Sequence, residues 1–231
     1  YGKYGGGAYS EGGSAYREWY RFGEEHPAGY ECWWGVKDLP NVDELNPSYI
    51  EYICGENGVV RTWLRRGASG FRLDVADELP DRFIEEIRKA IKAENPEAVL
   101  IGEVWEDASN KISYSERRKF LLGKELYGTM NYPLRDILLD FAMGRAAGWQ
   151  AGRRVMNLME HYPEESFFGA FNLLGGHDRM RILSLLGGMP EGMSEADQAA
   201  FTLPMDAYYS GREALKMLAV LEYALPGVPC V

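Results

Sequence analysis

Three apolar runs along the chain each lead into an acidic residue. The runs lie at 70–73, 99–102 and 171–176, and the acids that follow them are Asp74, Glu103 and Asp178. An apolar run bounded by glycine and ended by a polar residue is typical of a buried parallel strand that carries a side chain to the end of a sheet. Because parallel strands end at the same edge of their sheet, the pattern predicts a cluster of three carboxylates.

A helical pattern separates the first two runs. Apolar residues recur at helical spacing at Phe83, Ile84, Ile87 and Ile91. They predict a helix over 81–93, with Pro80 at its first position and Glu85 and Lys89 as an exposed i,i+4 pair. From Asp74 to Glu103 is 29 residues, which leaves room for this helix and two connections. A right-handed strand-helix-strand unit would place both acids at the same end of adjacent strands.

The remaining pattern continues to alternate strands with helices. Further strands are predicted at 128–132 and 171–174, with the start of another at Val228, and further helices at 59–66, 134–146, 149–160 and 211–224. Residues 1 to about 55 lack sustained periodicity and predict long loops with one short helix near 15–22, and residues 187–200 also predict a loop. This alternation predicts an α/β fold of the parallel-barrel type, whose chemistry lies at the carboxyl ends of the strands.

The neighbours of two of these acids indicate different roles in breaking an acetal. Arg72 lies two residues before Asp74, so both side chains point to the same side of a strand, and the guanidinium would keep the aspartate ionised. Asp74 therefore fits a nucleophile. Glu103 precedes Val104 and Trp105, where partial burial would raise its pKa and suit a general acid. Acetal hydrolysis uses such a pair of carboxyl groups.

The motifs around these acids resemble the alpha-amylase superfamily of glycoside hydrolases, nearest to its neopullulanase and cyclomaltodextrinase-like branch. Residues 70–78, 102–105 and 172–178 are similar to the motifs of the fourth, fifth and seventh barrel strands. The resemblance implies that Asp74 is the nucleophile, Glu103 the acid/base and Asp178 the transition-state stabiliser. It also implies substrate contacts from Arg72, His177 and Glu78.

The resemblance further implies a partial (β/α)8 TIM barrel, comprising about strands four to eight and preceded by part of the loop domain that follows strand three. On this interpretation, residues 1–55 belong to that loop domain. Residues 56–231 form the C-terminal part of the barrel, truncated in strand eight. The family's third-strand motif would precede Tyr1, so we expect the chain to begin within a longer protein and to be inactive in isolation.

Composition limits the partners and cofactors. A net charge of -10 argues against nucleic acid and anionic membranes, and no apolar run reaches the ~20 residues of a membrane span. The 3 cysteines and 3 histidines are widely spaced and predict neither a disulfide framework nor a metal site. We expect an alpha-glucan oligosaccharide substrate and no required cofactor. Calcium in the whole protein and self-association remain open. The location also remains open, with the cytoplasm weakly favoured.

Each assignment has a structural alternative. Asp74 and Arg72 could form an ion pair without chemistry, Glu103 could cap the next helix, and Glu78 could be a first-turn helix residue favoured by the helix dipole. His177 could be a satisfied, partly buried side chain. The aromatic residues Trp33, Trp34 and Trp105 fit packing as well as stacking on sugar rings. At the level of function, the alternative is a non-catalytic sugar-binding or scaffold fragment of the same superfamily.

Overall fold

A computed structural model of the protein describes residues 7–9 and 13–230. Its α-helices are α1 (Pro47–Cys54), α2 (Val59–Arg65), α3 (Asp81–Glu94), α4 (Tyr132–Ala142), α5 (Gly148–His161), α6 (Glu164–Phe168), α7 (Ile182–Leu186), α8 (Glu195–Ala200) and α9 (Met205–Ala224). Its strands are β1 (Gly70–Leu73), β2 (Val99–Gly102), β3 (Ile112–Ser113), β4 (Glu116–Arg117), β5 (Gly128–Thr129), β6 (Phe171–Asn172) and β7 (Val228–Pro229). Short 3-10 helices cover Arg17–Trp19, Trp33–Gly35 and Ala76–Glu78.

The predicted strands are present and pair in chain order. Strands β1, β2 and β5 form one sheet in that order, with β2 and β5 parallel, and β6 pairs in parallel with β7. A parallel bridge between Met130 and Phe171 links the two sets. Strand β5 is shorter than predicted because Asn131 caps α4, its side chain accepting the Leu134 amide at 3.2 Å, so the chain turns into a helix at Tyr132.

The chain divides into two compact units, the first of which comprises Tyr1–Gly70 with Leu79–Ala98. Helices α1, α2 and α3 pack against one another in this unit. The predicted apolar stripe of α3 is confirmed, since Phe83, Ile84, Ile87 and Ile91 are all buried. Complete burial of an isoleucine side chain stabilises the fold by about 1.5–3 kcal/mol.

Two details of α3 correct the prediction. Pro80 is the N-cap, with ψ of 137°, and the helix itself begins at Asp81. Lys89 pairs with Glu86 at 2.8 Å rather than with Glu85. Residues three and four apart are both neighbours on a helix surface, so sequence spacing alone could not choose between the two glutamates.

The loop prediction for the first 55 residues was wrong at α1. Asn46 caps this helix by accepting the Ser48 amide at 2.9 Å, and Pro47 occupies its first turn. An Asn-Pro pair is a recognised helix start, so the signal was in the sequence. The short helix predicted near 15–22 is a 3-10 turn at Arg17–Trp19. Part of the glycine-rich start lies outside the described residues.

The second unit comprises Phe71–Glu78 with Val99–Val231. Its helices α4, α7 and α9 enclose a leucine core of Leu134, Leu138, Leu139, Leu174, Leu185 and Leu218. The predicted helices correspond to α4, α5 and α9, although α9 begins earlier, at Met205. The loop prediction for 187–200 was wrong at α8, which Ser194 caps. Helices α6 and α7 and the β3–β4 hairpin were not predicted.

Candidate active site

Two of the predicted site residues follow adjacent strands of the second unit. The Glu103 amide donates to the Leu73 carbonyl at 2.9 Å, and the Ala76 amide donates to the Glu103 carbonyl at 3.1 Å. These backbone bonds continue the pairing of β1 with β2 beyond the strands. Asp74 and Glu103 therefore lie at the same edge of the sheet, as the strand-helix-strand spacing predicted.

Arg72 connects the two carboxylates. Its Nη1 donates to Asp74 Oδ1, and its Nη2 lies 3.0 Å from Glu103 Oε1. The contact with Asp74 was predicted from the i,i+2 spacing, whereas the contact with Glu103 was not, because it joins two strands. One guanidinium thus supplies positive charge to both acids.

The two carboxylates differ in their surroundings. The Glu103 side chain is 4% exposed, and it accepts the Val75 amide on Oε2 at 2.8 Å and the Trp105 indole N–H on Oε1 at 3.1 Å. These donors and Arg72 compensate for the loss of water around a buried carboxylate. Asp74, by contrast, has a side chain that is 74% exposed. One acid is held in place away from water, and the other is open to an incoming molecule.

Unusual backbone geometry supports the Glu103 position. Val75 has φ of 44°, in the left-handed region that a β-branched residue rarely adopts. This conformation accompanies the bond from its amide to Glu103. A Cβ on Gly102 would collide with the side chain of buried Leu126 and lie 3.2 Å from the Ala76 Cβ, so a larger residue immediately before Glu103 would force Leu126 to move.

The third predicted acid lies on the loop after β6. Asp178 Oδ2 is 3.2 Å from His177 Nε2, and the two side chains are 38% and 80% exposed. Tyr132 relates this loop to Glu103. Burial raises the pKa of the Tyr132 hydroxyl, and the negative charges of Glu103 and Asp178 add to the effect. Both carboxylates thus act on the same tyrosine ring.

An aromatic and cationic stack was missed by sequence reasoning. The Trp105 and Tyr132 rings stack with centroids 5.1 Å apart, and the Arg179 guanidinium carbon lies 3.9 Å from the centre of the Trp105 ring. These contacts favour the packing interpretation of Trp105. Tyr132 shares the signal of the acids, a polar group just after a strand, but Arg179 carried no signal beyond its place next to Asp178.

Glu78 is engaged by the β3–β4 hairpin. The Tyr114 hydroxyl donates to Glu78 Oε2, a hydrogen bond that raises the pKa of Tyr114 to about 12. At the hairpin tip, Tyr114 and Ser115 have φ of 51° and 66°, as a two-residue type I′ turn requires. Lys111 Nζ lies 3.0 Å from Asp77 Oδ2. The hairpin is therefore fixed to the turn that follows Asp74.

Within residues 7–9 and 13–230, no group of three or more His, Cys, Asp or Glu side chains is placed to hold a metal ion. In the same part of the chain, no helix combines the length and apolar character needed to cross a membrane.

Comparisons with known proteins show the family that the motifs resemble. Residues 12–231 match the family model of the alpha amylase catalytic domain. An amylopullulanase of Thermoanaerobacterium thermosulfurigenes is 34% identical over 259 residues, which covers 99% of this chain and 13% of the relative. A cyclomaltodextrinase of Geobacillus thermopakistaniensis is 32% identical over 182 residues, covering 76% of this chain and 29% of the relative.

A solved structure shares the fold. The type III pullulan hydrolase of Thermococcus kodakarensis superposes with a TM-score of 0.77 at 31% identity, over 94% of this chain and 35% of that protein. This chain therefore spans well under half of each of these three proteins. With the family model matched over nearly its whole length, the chain belongs to the alpha-amylase catalytic-domain family, whose members are (β/α)8 barrels.

Proposed function

We propose that this chain carries the catalytic carboxylates of a retaining alpha-glucan hydrolase of the alpha-amylase type. The observation that carries the proposal is the pair of acids joined by Arg72, with Asp74 exposed and Glu103 buried. Hydrolysis with retention needs one carboxylate free to attack and a second held against the leaving oxygen. The difference in exposure supports this division of roles.

In the proposed first step, an Asp74 carboxylate oxygen attacks the anomeric carbon. The bond from that carbon to the glycosidic oxygen breaks, and the leaving oxygen takes the proton from Glu103. The product is a glycosyl ester on Asp74. In the second step, ionised Glu103 removes a proton from water, the water oxygen bonds to the anomeric carbon, and Asp74 leaves as carboxylate.

The other predicted residues bind sugar in this proposal. Asp178 and His177 contact hydroxyl groups of the sugar that is attacked, and Asp178 strengthens its contact as positive charge develops on the ring. Arg72 balances the two catalytic acids. Glu78 contacts the sugar on the acceptor side, where Tyr114 already orients it.

The motif positions also support a proposal for the fold of the whole catalytic domain. Strands β1, β2, β5, β6 and β7 are proposed to be barrel strands four to eight. Residues 1–55 would then be part of the loop domain after strand three, and residues 56–231 the C-terminal part of the barrel. No cofactor takes part in the proposed steps, and calcium elsewhere in the whole protein remains an open proposal.

The substrate class is proposed from the relatives. Their names refer to cyclomaltodextrin and pullulan. We therefore infer an alpha-glucan oligosaccharide or a cyclodextrin as the substrate. Incubating the full-length protein with cyclodextrin, pullulan and starch, and identifying the products, would distinguish among these glucans.

Trapping the glycosyl ester tests the mechanism. The full-length protein is incubated with a fluorinated glycosyl donor, digested and analysed by mass spectrometry, and we expect the label on Asp74. A label on Glu103 or Asp178 would overturn the assignment. Binding of maltooligosaccharide with neither label nor turnover would favour the non-catalytic, sugar-binding alternative.

A further inference from the structure

Arg179 makes contacts that its position next to Asp178 does not explain. Its guanidinium lies 3.9 Å from the centre of the Trp105 ring and 5.2 Å from that of Tyr132. Trp105 in turn donates its indole N–H to Glu103 Oε1 at 3.1 Å. A continuous chain of contacts thus runs from the loop after β6 to the buried carboxylate after β2.

We propose that Arg179 is a positioning residue for Glu103, acting through Trp105. The planar guanidinium fixes the plane of the indole, and the indole N–H fixes one oxygen of the carboxylate. The inference rests on the proposed role of Glu103 as the proton donor.

Geometry makes this indirect role effective. The Trp105 ring makes two contacts. It stacks on the Tyr132 ring, with the ring planes inclined at 26°, and it also lies against the Arg179 guanidinium. An arginine over the face of a tryptophan is attracted electrostatically to the ring, and more strongly where water is excluded. Since a proton donor acts only within hydrogen-bond reach of the leaving oxygen, a rotated indole would misplace Glu103.

The charges around the stack are consistent with this role. Glu103 and Asp178 are the acids that act on Tyr132, and Arg72 and Arg179 oppose them. Arg135, a buried arginine whose Nε donates to the Leu174 carbonyl at 2.9 Å, is also within electrostatic range of Arg179. Lysine at position 179 would keep the positive charge but lose the planar guanidinium. The contribution of the charge can therefore be separated from that of the planar contact with Trp105.

The test compares substrates that differ in their need for acid. A glucan bond needs protonation of its leaving oxygen, whereas alpha-maltosyl fluoride needs much less. For Arg179→Met in the full-length protein, we expect kcat/KM on maltooligosaccharides to fall about tenfold to a hundredfold, part of the ~10²–10⁴ that a general acid supplies. On alpha-maltosyl fluoride the loss should be below about threefold. Equal losses on both substrates would overturn the proposal.

Two further variants keep the test decisive if Arg179→Met does not fold. Trp105→Phe keeps an aromatic ring but removes the N–H, and should show the same dependence on leaving group. Arg179→Lys should resemble Arg179→Met, because the planar contact is lost. Full rescue by lysine would overturn the stacking mechanism.

The control is Arg153→Met, an exposed arginine of α5 that lies outside this loop, which should leave both activities unchanged. A double variant, Trp105→Phe with Arg179→Met, should lose little more than either single variant, whereas additive losses would contradict a shared route. Glu103→Gln separates the two levels of inference. If it retains full glucan activity, the proposed function fails, and if only the Arg179 variants behave like the control, this inference alone fails.

Discussion

The two groups of predicted site residues are held in different ways. The β1–β2 edge, formed by Arg72, Asp74, Val75 and Glu103, is connected by backbone bonds between strands and by one guanidinium that contacts both acids. The β6 loop, residues 175–181, carries His177 and Asp178, which contact each other and remain partly exposed.

The difference shows where the geometry is set before substrate arrives. Glu103 accepts two hydrogen bonds, lies beside the Arg72 guanidinium and is 4% exposed, so its position is fixed by the folded chain. The β6 loop is anchored at its flanks, by Leu174 and Leu185 in the leucine core, while the acid between them is open to solvent. We expect the edge to govern bond breaking and the loop to govern how the sugar is held as it reacts.

Removing either acid of the β1–β2 edge should have the largest effect. Asp74→Asn deletes the proposed nucleophile, and we expect kcat on maltooligosaccharides to fall by about 10⁴ or more in the full-length protein. Glu103→Gln should lose about 10²–10⁴, and less on alpha-maltosyl fluoride. Steady-state kinetics measure both, with Glu106→Gln, an exposed acid three residues further on, as the control. If Asp74→Asn had an activity comparable to that of the unchanged protein, the expected difference between the β1–β2 edge and the β6 loop would have no basis.

The β6 loop should give the next largest effect. Asp178→Asn removes the contact that we propose to strengthen in the transition state, so kcat should fall by about 10²–10³ while KM changes little. His177→Ala should mainly raise KM, because the proposed role of the exposed imidazole is to bind substrate without taking part in bond breaking. A normal kcat with raised KM in Asp178→Asn would mean that this acid only holds the sugar.

The hairpin contact should matter less than either group. Tyr114→Phe removes the hydroxyl that donates to Glu78, and a hydrogen bond from a neutral to a charged group contributes about 1.5–3 kcal/mol, less where exposed. We expect a loss of about twofold to tenfold in transfer of sugar to an acceptor. Because the pKa of Tyr114 is raised to about 12, the hydroxyl remains a donor at lower pH. The loss should therefore be constant between about pH 5 and 9, and a loss confined to one end of that range would contradict this account.

The smallest effect concerns stability away from both groups. Glu222 in α9 is 1% exposed, and burial raises its pKa, although the Cys230 amide partly offsets this. The folded state therefore holds this proton more tightly than the unfolded chain, so the group's contribution to stability is lost as pH rises above about 4.3. Glu222→Gln should raise the unfolding temperature at pH 8 by about 2–4 °C for each kcal/mol recovered and have no such effect near pH 4. A lower unfolding temperature at pH 8 would contradict the prediction.

The sequence was sufficient to predict what depends on local pattern. The α3 stripe, the strand ends before Asp74 and Glu103, and the contact of Arg72 with Asp74 all follow from periods of 3.6 and 2 residues. The family motifs, and now the family match, add the assignment of the fold.

What could not be predicted depends on side chains that meet across elements. Nothing in the spacing indicates that the Val75 amide donates to Glu103 or that the Arg72 guanidinium lies beside it, since both contacts form only when β1 pairs with β2. Arg179 meets Trp105 from a loop more than 70 residues later in the chain. The hairpin was missed because its turn places Tyr114 and Ser115, rather than glycine or asparagine, at positive φ.

At Val75 the backbone conformation that supports activity also lowers stability. Valine with φ of 44° is strained, and glycine there would relax the chain. The same change would free the peptide whose amide holds Glu103. Val75→Gly should therefore raise the unfolding temperature and lower kcat together, which thermal unfolding and kinetics on one preparation would measure. Selection for stability of the folded protein alone would tend to replace this valine, whereas selection for turnover would retain it.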